Sequence, residues 1–438
     1  MRLSDYRQSG GRGLFRRDRR LFDQRGTFTF TIPDGVTKVW AFAIGAGGGG
    51  RIHATTDGQF GNAGMIGGGK GGGYASGIIS GLTPGNTLTI TVPAGGIGAY
   101  KTTAAAAGGD TTVAGGGTTY LTGGGGGAAD AAVTSDPGNK KGQGGTASTS
   151  GVTDAYTAAG GGSYAWTAGV GQGSITTSNI DTVCGGGASG SPFGTGMAHT
   201  KSVGVRRGAT GGGGWCQREY TRSEWLGGSG ESNGTYLFSG GAGSHHPVHF
   251  FNGRNNKAHW AGFNGGRGKT AIGGETIYIA DGEGDIQQGN SQVDKFFQSA
   301  GYYYTHQKGG FQSKLDGEDG NPNWWFPWEI DGSGGGAARV DHNSGQMWTG
   351  GQGGPGAGGG GIYAYAGNTG NCQGGRGGFG GGGGGAYHSL GNISHLGTAW
   401  GGEGGNGGGG GSAFGRYDTN RYMPIGGNGG DGAVGIYW

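Results

Sequence analysis

The chain has 438 residues, 124 of them glycine, and a formal net charge of +3 with 13% charged residues. Glycine is thus about four times its usual ~7% share, and the near-neutral balance excludes a protein held to nucleic acid or membrane by a strong overall field. The 11 Trp, 18 Tyr and 17 Phe argue against low-complexity disorder, because disordered chains lack aromatics.

The first 25 residues hold eight arginines against three aspartates, a balance of +5 that leaves −2 for the rest of the net +3. No apolar stretch of 7–15 residues follows the basic ones, so no signal peptide is expected. The chain has no run of 18 apolar residues, so no membrane insertion is expected either. Such a segment is either a solvated or nucleic-acid-touching tail or an anchor arm for an acidic partner. In the second case Arg16, Arg17, Arg19 and Arg20 supply charge and Phe15 and Phe22 supply apolar contact. The expected division is a basic arm over 1–25 and one glycine-rich domain over 26–438.

From Thr27 to Ile32, Thr alternates with Phe28, Phe30 and Ile32, the period of a half-buried strand. Pro33-Asp34-Gly35 predicts a turn, since Pro presets one φ and Gly supplies another. Lys38–Ile44 is a second strand with Trp40, Phe42 and Ile44 on one face. Tyr74–Ser80 is a third, and Thr83-Pro84-Gly85-Asn86 turns into Thr87–Val92, where Leu88, Ile90 and Val92 alternate with Thr. In Ala433–Trp438, Val434, Ile436 and Trp438 share a face; an apolar strand so placed frays unless paired, and the N-terminal strands are its expected partners.

Between these strands run glycine tracts, among them 45–50, 67–73, 123–127, 185–187, 211–214, 350–361, 374–385, 401–411 and 426–432. Ordering glycine is costly, about 1–2 kcal/mol per residue for any backbone and more for Gly. Close backbone approach is what Gly alone allows. Extended polyproline-II-type helices have three residues per turn and no internal hydrogen bonds, so their N–H and C=O groups need neighbours. Side-by-side packing satisfies them where no Cβ intervenes. The expected fold is therefore all-β/irregular: a small terminal β-sheet plus a bundle of polyglycine-II helices with long aromatic loops and little or no α-helix.

The excursions 217–226, 244–263 and 275–331 are poor in glycine tracts. Between Phe296 and Trp328 stand ten aromatics: Phe296, Phe297, Tyr302, Tyr303, Tyr304, Phe311, Trp324, Trp325, Phe326 and Trp328. Rings among polar groups suit surface recognition, giving large contact area at little entropy cost; they also suit a satellite core. We expect the four Phe inward, and Tyr302, Tyr303, Tyr304, Trp324, Trp325 and Trp328 as receptor-binding candidates, with His245 and His246. His246 and His249 have a spacing compatible with metal ligation but equally read as polar loop residues, and no metal or cofactor is expected. Asp281–Asp285 begins like a calcium loop, yet Ile286 and Gln292 stand where the EF-hand needs Gly and Glu. Cys184, Cys216 and Cys372 form neither a CxxC signature nor a disulfide framework. No GxSxG, HExxH or P-loop occurs, and no enzymatic activity is expected.

Three segments together, TFTFTIPDGVTKVWAFAIGAGGGG at 27–50, GGGYASGIISGLTPGNTLTITVPAGG at 71–96 and GGNGGDGAVGIYW at 426–438, resemble the glycine-rich domain of phage tail fibres. The order of strand, turn, strand, tract, strand, turn and strand is the same over 27–127 and 401–438. The chain is also similar to the polyglycine-II adhesins that cap long tail fibres, although its long Gly-poor excursions depart from them. The resemblance implies a virion protein of a bacteriophage, made in the host cytoplasm, that attaches to another virion protein and binds a host surface glycan or outer-membrane protein. A non-receptor component such as a head fibre, decoration or tail collar protein is the alternative, and a polysaccharide depolymerase a third. The oligomeric state, a trimer included, is left open.

Overall fold

A computed structural model of the protein describes residues 19–55, 64–131, 144–163, 181–192, 194–196, 207–215, 347–354, 356–364, 371–388, 397–416 and 423–438; it also describes the backbone of short strands at 237–238, 245–251, 258–263, 268–272, 275–280, 324–325, 329–330 and 338–340. These residues form strands and extended tracts, with no helix among them.

The segments expected as strands pair with one another. Lys38–Ile44 and Tyr74–Ser80 pair antiparallel in one sheet, whose order runs Arg19–Phe22, Ala433–Tyr437, Lys38–Ile44, Tyr74–Ser80, Val152–Ala158. Thr87–Val92 pairs with Gly26–Thr31 in a second, completed by Thr111–Gly115, Thr118–Gly123 and Ala147–Thr149. The two predicted turns form, with Gly35 and Gly85 at φ of 74° and 83°. Val36 N–H donates to Pro33 and Asn86 N–H to Thr83.

A side-chain core fills the sandwich: Phe30, Ile32, Val39, Ile79, Leu88, Ile90, Val92, Val113, Leu121, Val434 and Ile436 are all buried. Trp40, Phe42 and Ile44 lie on the opposite face of the first sheet, with Tyr74, Tyr437 and Trp215. The last strand lies between Arg19–Phe22 and Lys38–Ile44, so residues at both sequence ends close one unit. The sandwich therefore includes residues before position 26. Phe22, expected as an apolar contact for a partner, is buried in the core: its strand pairs with the last strand, and alternation turns its ring inward.

Beyond the sandwich the core is backbone. In 45–51 every N–H donates, and the acceptors repeat every third residue. Gly45, Gly48 and Arg51 donate to Gly73, Lys70 and Gly67; Ala46 and Gly49 to Gly109 and Ala106; Gly47 and Gly50 to Gly430 and Gly427. The carbonyls return the pattern to three further tracts: Ala46 and Gly49 accept from Gly126 and Ala129, Gly47 and Gly50 from Gly96 and Ala99, Gly48 and Arg51 from Gly410 and Ala413. The tract thus has six neighbours, three by donation and three by acceptance. Partners that repeat every third residue, with all bonds between tracts, match the repeat of an extended helix with three residues per turn.

The tracts 381–385 and 408–411 are surrounded in the same way, and layers result. An outer layer runs 350–354, 374–378, 401–405, 426–430, 95–99; behind it lie 357–361, 381–385, 408–411, 45–50 and 106–109. Small size is required at the interior positions. A Cβ on Gly47 would strike the carbonyl oxygen of Gly408, and one on Gly382 that of Gly186.

Three hairpins of this lattice repeat. Each runs from a short strand (Met347–Thr349, Asn371–Gln373, Ala399–Trp400) through a tract, a tight turn and a returning tract into a second short strand (Ile362–Ala364, Ala386–His388, Ala413–Arg416). Gly356, Gly380 and Gly407, at φ of 73°, 80° and 77°, make the turns, closed by Ala357, Gly381 and Gly408 N–H donating to Gly354, Gly378 and Gly405.

Candidate functional site

The tracts give the bundle two different ends. Lys38–Ile44 leads into tract 45–50, and tracts 67–73 and 426–432 lead back into Tyr74–Ser80 and Ala433–Tyr437, so the sandwich caps one end. At the far end the tracts run out into short parallel strands, where side chains resume. One parallel sheet there has the order Ala338–Val340, Ile362–Ala364, Ala386–His388, Ala413–Arg416, Ile52–Thr55. A second holds Met347–Thr349, Asn371–Gln373 and Ala399–Trp400, and a third Gly64–Ile66, Asp181–Val183, Arg207–Ala209 and Leu237–Phe238.

Parallel pairing in register sets like beside like. Tyr363, Tyr387, Phe414 and His53 are register partners, and their rings form a column. Centroids are 5.2, 4.6 and 5.7 Å apart with interplanar angles of 13°, 9° and 5°. The first three rings are fully buried. Such contacts contribute about 0.5–1.5 kcal/mol each beyond area burial. His53 ends the column; burial first, and then the nearby charge of Arg51, hold its imidazole below the ordinary 6.5. Trp348, Cys372, Ala386 and Ala399 form a small core between the sheets. Cys184 and Cys372 are both buried thiols whose pKa burial raises, which suits packing rather than thiolate chemistry.

Where tract becomes strand, small hydroxyls replace glycine. Ser412 Oγ accepts from Cys184 N–H at 2.8 Å and lies within hydrogen-bond distance of the Ile66 and Cys184 carbonyls at 3.0 and 2.8 Å. Thr210 Oγ1 accepts from Gly185 N–H at 2.9 Å. These buried groups lock three neighbouring tracts at one level, giving the far-end sheets a rigid base.

The outer layer also carries a regular array of side chains. Every third residue of its tracts points out of the lattice, and each such described position is occupied by something other than glycine. The far row is Thr349, Gln373, Trp400, Ile425 and Tyr100. The middle row is Gln352, Arg376, Glu403, Asn428 and Ile97. At the level nearest the sandwich the same register holds Phe379, Asn406, Asp431 and Ala94, but there Phe379 packs on Trp215 and Asn406 Nδ2 donates to the Asp23 and Gly432 carbonyls instead of facing outward. The tract 95–99 runs opposite to its neighbour, held there by Asp431 Oδ1 and Asn428 Oδ1, which accept from Gly95 and Gly98 N–H. Ile97 and Tyr100 are 55% and 41% exposed, and Lys101 Nζ sits 5.2 Å from the Tyr100 ring centre.

A family model for the glycine-rich domain matches residues 23–274, more than half the chain. The chain belongs to the glycine-rich domain family. No curated protein matches it. In this glycine-rich domain the family match covers the sandwich strands from Gly26–Thr31 to Val152–Ala158 and the first tracts, while the strands Arg19–Phe22 and Ala433–Tyr437 and the three repeated hairpins lie outside it.

The glycine-rich domain spreads the sequence candidates unevenly. Trp324 and Trp325 form a two-residue strand paired with Ile330 and Glu329. His245 and His246 belong to the strand His245–Phe251, which pairs with Ala258–Phe263. Arg19 and Arg20 lie on the edge strand of the first sheet, exposed, with the Arg20 guanidinium 4.7 Å over the Phe22 ring centre. Phe15, Arg16, Arg17, Tyr302, Tyr303, Tyr304 and Trp328 lie outside the described residues. Sequence reasoning missed the ring column, because three-residue strands carry no periodicity. It also missed the outward array, although a Gly-Gly-Xaa-Gly-Gly-Xaa pattern repeated at 350, 374, 401 and 426 was its signal.

Proposed function

We propose that the protein is a bacteriophage attachment protein, a tail fibre or fibre-tip adhesin that binds a host surface glycan or outer-membrane protein and acts by binding rather than by catalysis. The observation that carries this is the difference between the two ends of the bundle. The sandwich, with the strand Arg19–Phe22, closes one end. At the other end the tracts pass into three short parallel sheets, which include the strands Leu237–Phe238 and Ala338–Val340. A backbone lattice that ends in a stacked ring column and short parallel strands suits a pedestal for variable recognition segments. The basic residues before Arg19 then serve to dock the chain on another virion protein.

The test is binding of the purified chain lacking residues 1–18, which leaves Phe22 and its strand in place, to intact host cells. Saturable binding that competes with phage adsorption is the expected result, and Trp324→Ala with Trp325→Ala should weaken it while particles still assemble. A folded chain that binds no cells would assign the protein to a structural role in the virion instead.

A further inference from the structure

The outward array carries an inference independent of receptor binding. Met347, Ile97 and Tyr100, 47%, 55% and 41% exposed, are three of the four exposed large apolar residues among the described ones. Ile97 and Tyr100 stand on the edge column of this face and Met347 two residues before Thr349, so all three border the four columns from Gln352 to Asn428 and lie outside them. The face is flat because it is one layer of a lattice. Its columns are about 5 Å apart, as for hydrogen-bonded extended chains, and its rows about 9 Å apart, three residues at ~3.1 Å each.

We propose that this face pairs with the same face of a second copy about a twofold axis lying in the face, parallel to the tracts and between the columns of Arg376 and Glu403. Charge selects that axis. It keeps each row at its own height and exchanges columns left for right. Arg376 of one copy then meets Glu403 of the other, and Glu403 meets Arg376. Gln352 meets Asn428, two groups that each donate and accept, while Gln373 meets Trp400 and Thr349 meets Ile425. A twofold axis across the tracts would instead set Arg376 on Arg376 and Glu403 on Glu403, and like charges in contact are strongly unfavourable.

Within one copy Arg376 Nε and Glu403 Oε2 are 4.0 Å apart, with side chains 62% and 51% exposed. Both charges therefore remain free to take a second partner. An isologous contact of this kind closes as a dimer, and both far ends point the same way. The four shared columns cover roughly 500 Å² per copy from the spacings above. That is below the ~800 Å² of a standard interface, so the pair should dissociate on dilution.

The test is sedimentation velocity of the full chain over a concentration series. Wild type should show a monomer–dimer equilibrium. Arg376→Glu and Glu403→Arg should each weaken it at least tenfold, since each places two like-charged contacts in the dimer. Mixing the two single variants should restore dimer as a mixed pair, and the double variant R376E/E403R should restore it alone. Far-UV spectra and melting points should not move in any variant. A wild-type chain that stays monomeric at every concentration overturns the proposal, and so does a dimer indifferent to both reversals or one that mixing fails to restore. A monomer that binds an oligosaccharide through Arg376 would give the face to a glycan and overturn it equally.

Discussion

The sandwich and the glycine lattice solve the same problem with opposite chemistry. In the sandwich, Leu88, Ile90 and Ile436 exclude water with side chains, and the backbone is spaced apart by them. In the lattice the backbone itself is the core, and the stabilising contact is N–H to carbonyl, at 2.7–3.1 Å across tracts such as 45–50. Each such bond is worth only about 0.5–1.5 kcal/mol net, and glycine's ordering cost is the highest of any residue. A lattice of this kind is stable only if nearly every backbone group finds a partner, as the seven consecutive donors from 45 to 51 do. The lesson concerns tolerance. A side-chain core can relax around a small loss of volume, whereas a backbone core has no soft atoms to move.

The sharpest way to break that contrast is to add one carbon to the lattice. Gly382→Ala puts a Cβ against the Gly186 carbonyl, with a tract on every side. We expect a loss of more than about 3 kcal/mol, beyond ordinary overpacking, or failure to fold, read by thermal unfolding. In the sandwich, Ile90→Ala removes three carbons from a fully buried site and should cost about 2–5 kcal/mol, with the chain still folded. If Gly382→Ala proves milder than Ile90→Ala, the lattice yields more than its geometry allows.

The ring column lies between these extremes, being side chains stacked on a backbone frame. Tyr387 contacts Tyr363 on one side and Phe414 on the other, so Tyr387→Leu should cost about 1–3 kcal/mol, two aromatic contacts' worth. It should loosen the far end in hydrogen exchange before it affects the sandwich. His53 adds a pH dependence of known sign. Its imidazole is held below 6.5 in the folded chain, so the unfolded chain takes up the proton first. The His53 contribution to stability is then whole above about pH 6.5. It falls as pH drops from there towards the folded pKa, where the penalty levels off. His53→Phe should flatten that slope and leave stability at pH 8 nearly unchanged.

What the sequence disclosed follows the same division. Alternation marks Thr87–Val92 to the residue, because a two-residue period is written locally and a half-buried strand cannot avoid it. The apolar runs Lys38–Ile44 and Tyr74–Ser80, buried on both faces, are bounded as closely by the turns and glycine tracts beside them. The pairing of Ala433–Tyr437 with strands at the other end followed from its apolar face alone. Phe22 misled because the basic residues around it read as an exposed arm, and its partner strand stands more than 400 positions away. The lattice was legible as composition but not as arrangement. Which six tracts surround Gly47 depends on chain crossings that leave no local pattern. Trp324, Trp325, His245 and His246 were chosen for chemistry in segments where sequence gives no placement.

The smallest expected effect tests the three-residue period most directly, at two adjacent residues. Gln352 points out of the lattice and is exposed, so Gln352→Ala should change stability by no more than about 0.5 kcal/mol, as for most surface substitutions. Its neighbour Gly353 points inward, and an added Cβ there meets the carbonyl oxygen of Ala357. Gly353→Ala should therefore destabilise by well over 1 kcal/mol, although it too sits in a surface tract. The same pair of changes at Glu403 and Gly404, where the Cβ would meet the Gly408 carbonyl, should give the same two outcomes. A chain that takes alanine equally well at 352 and 353 would not have the three-residue period, and the array on its outer face would lose its physical basis.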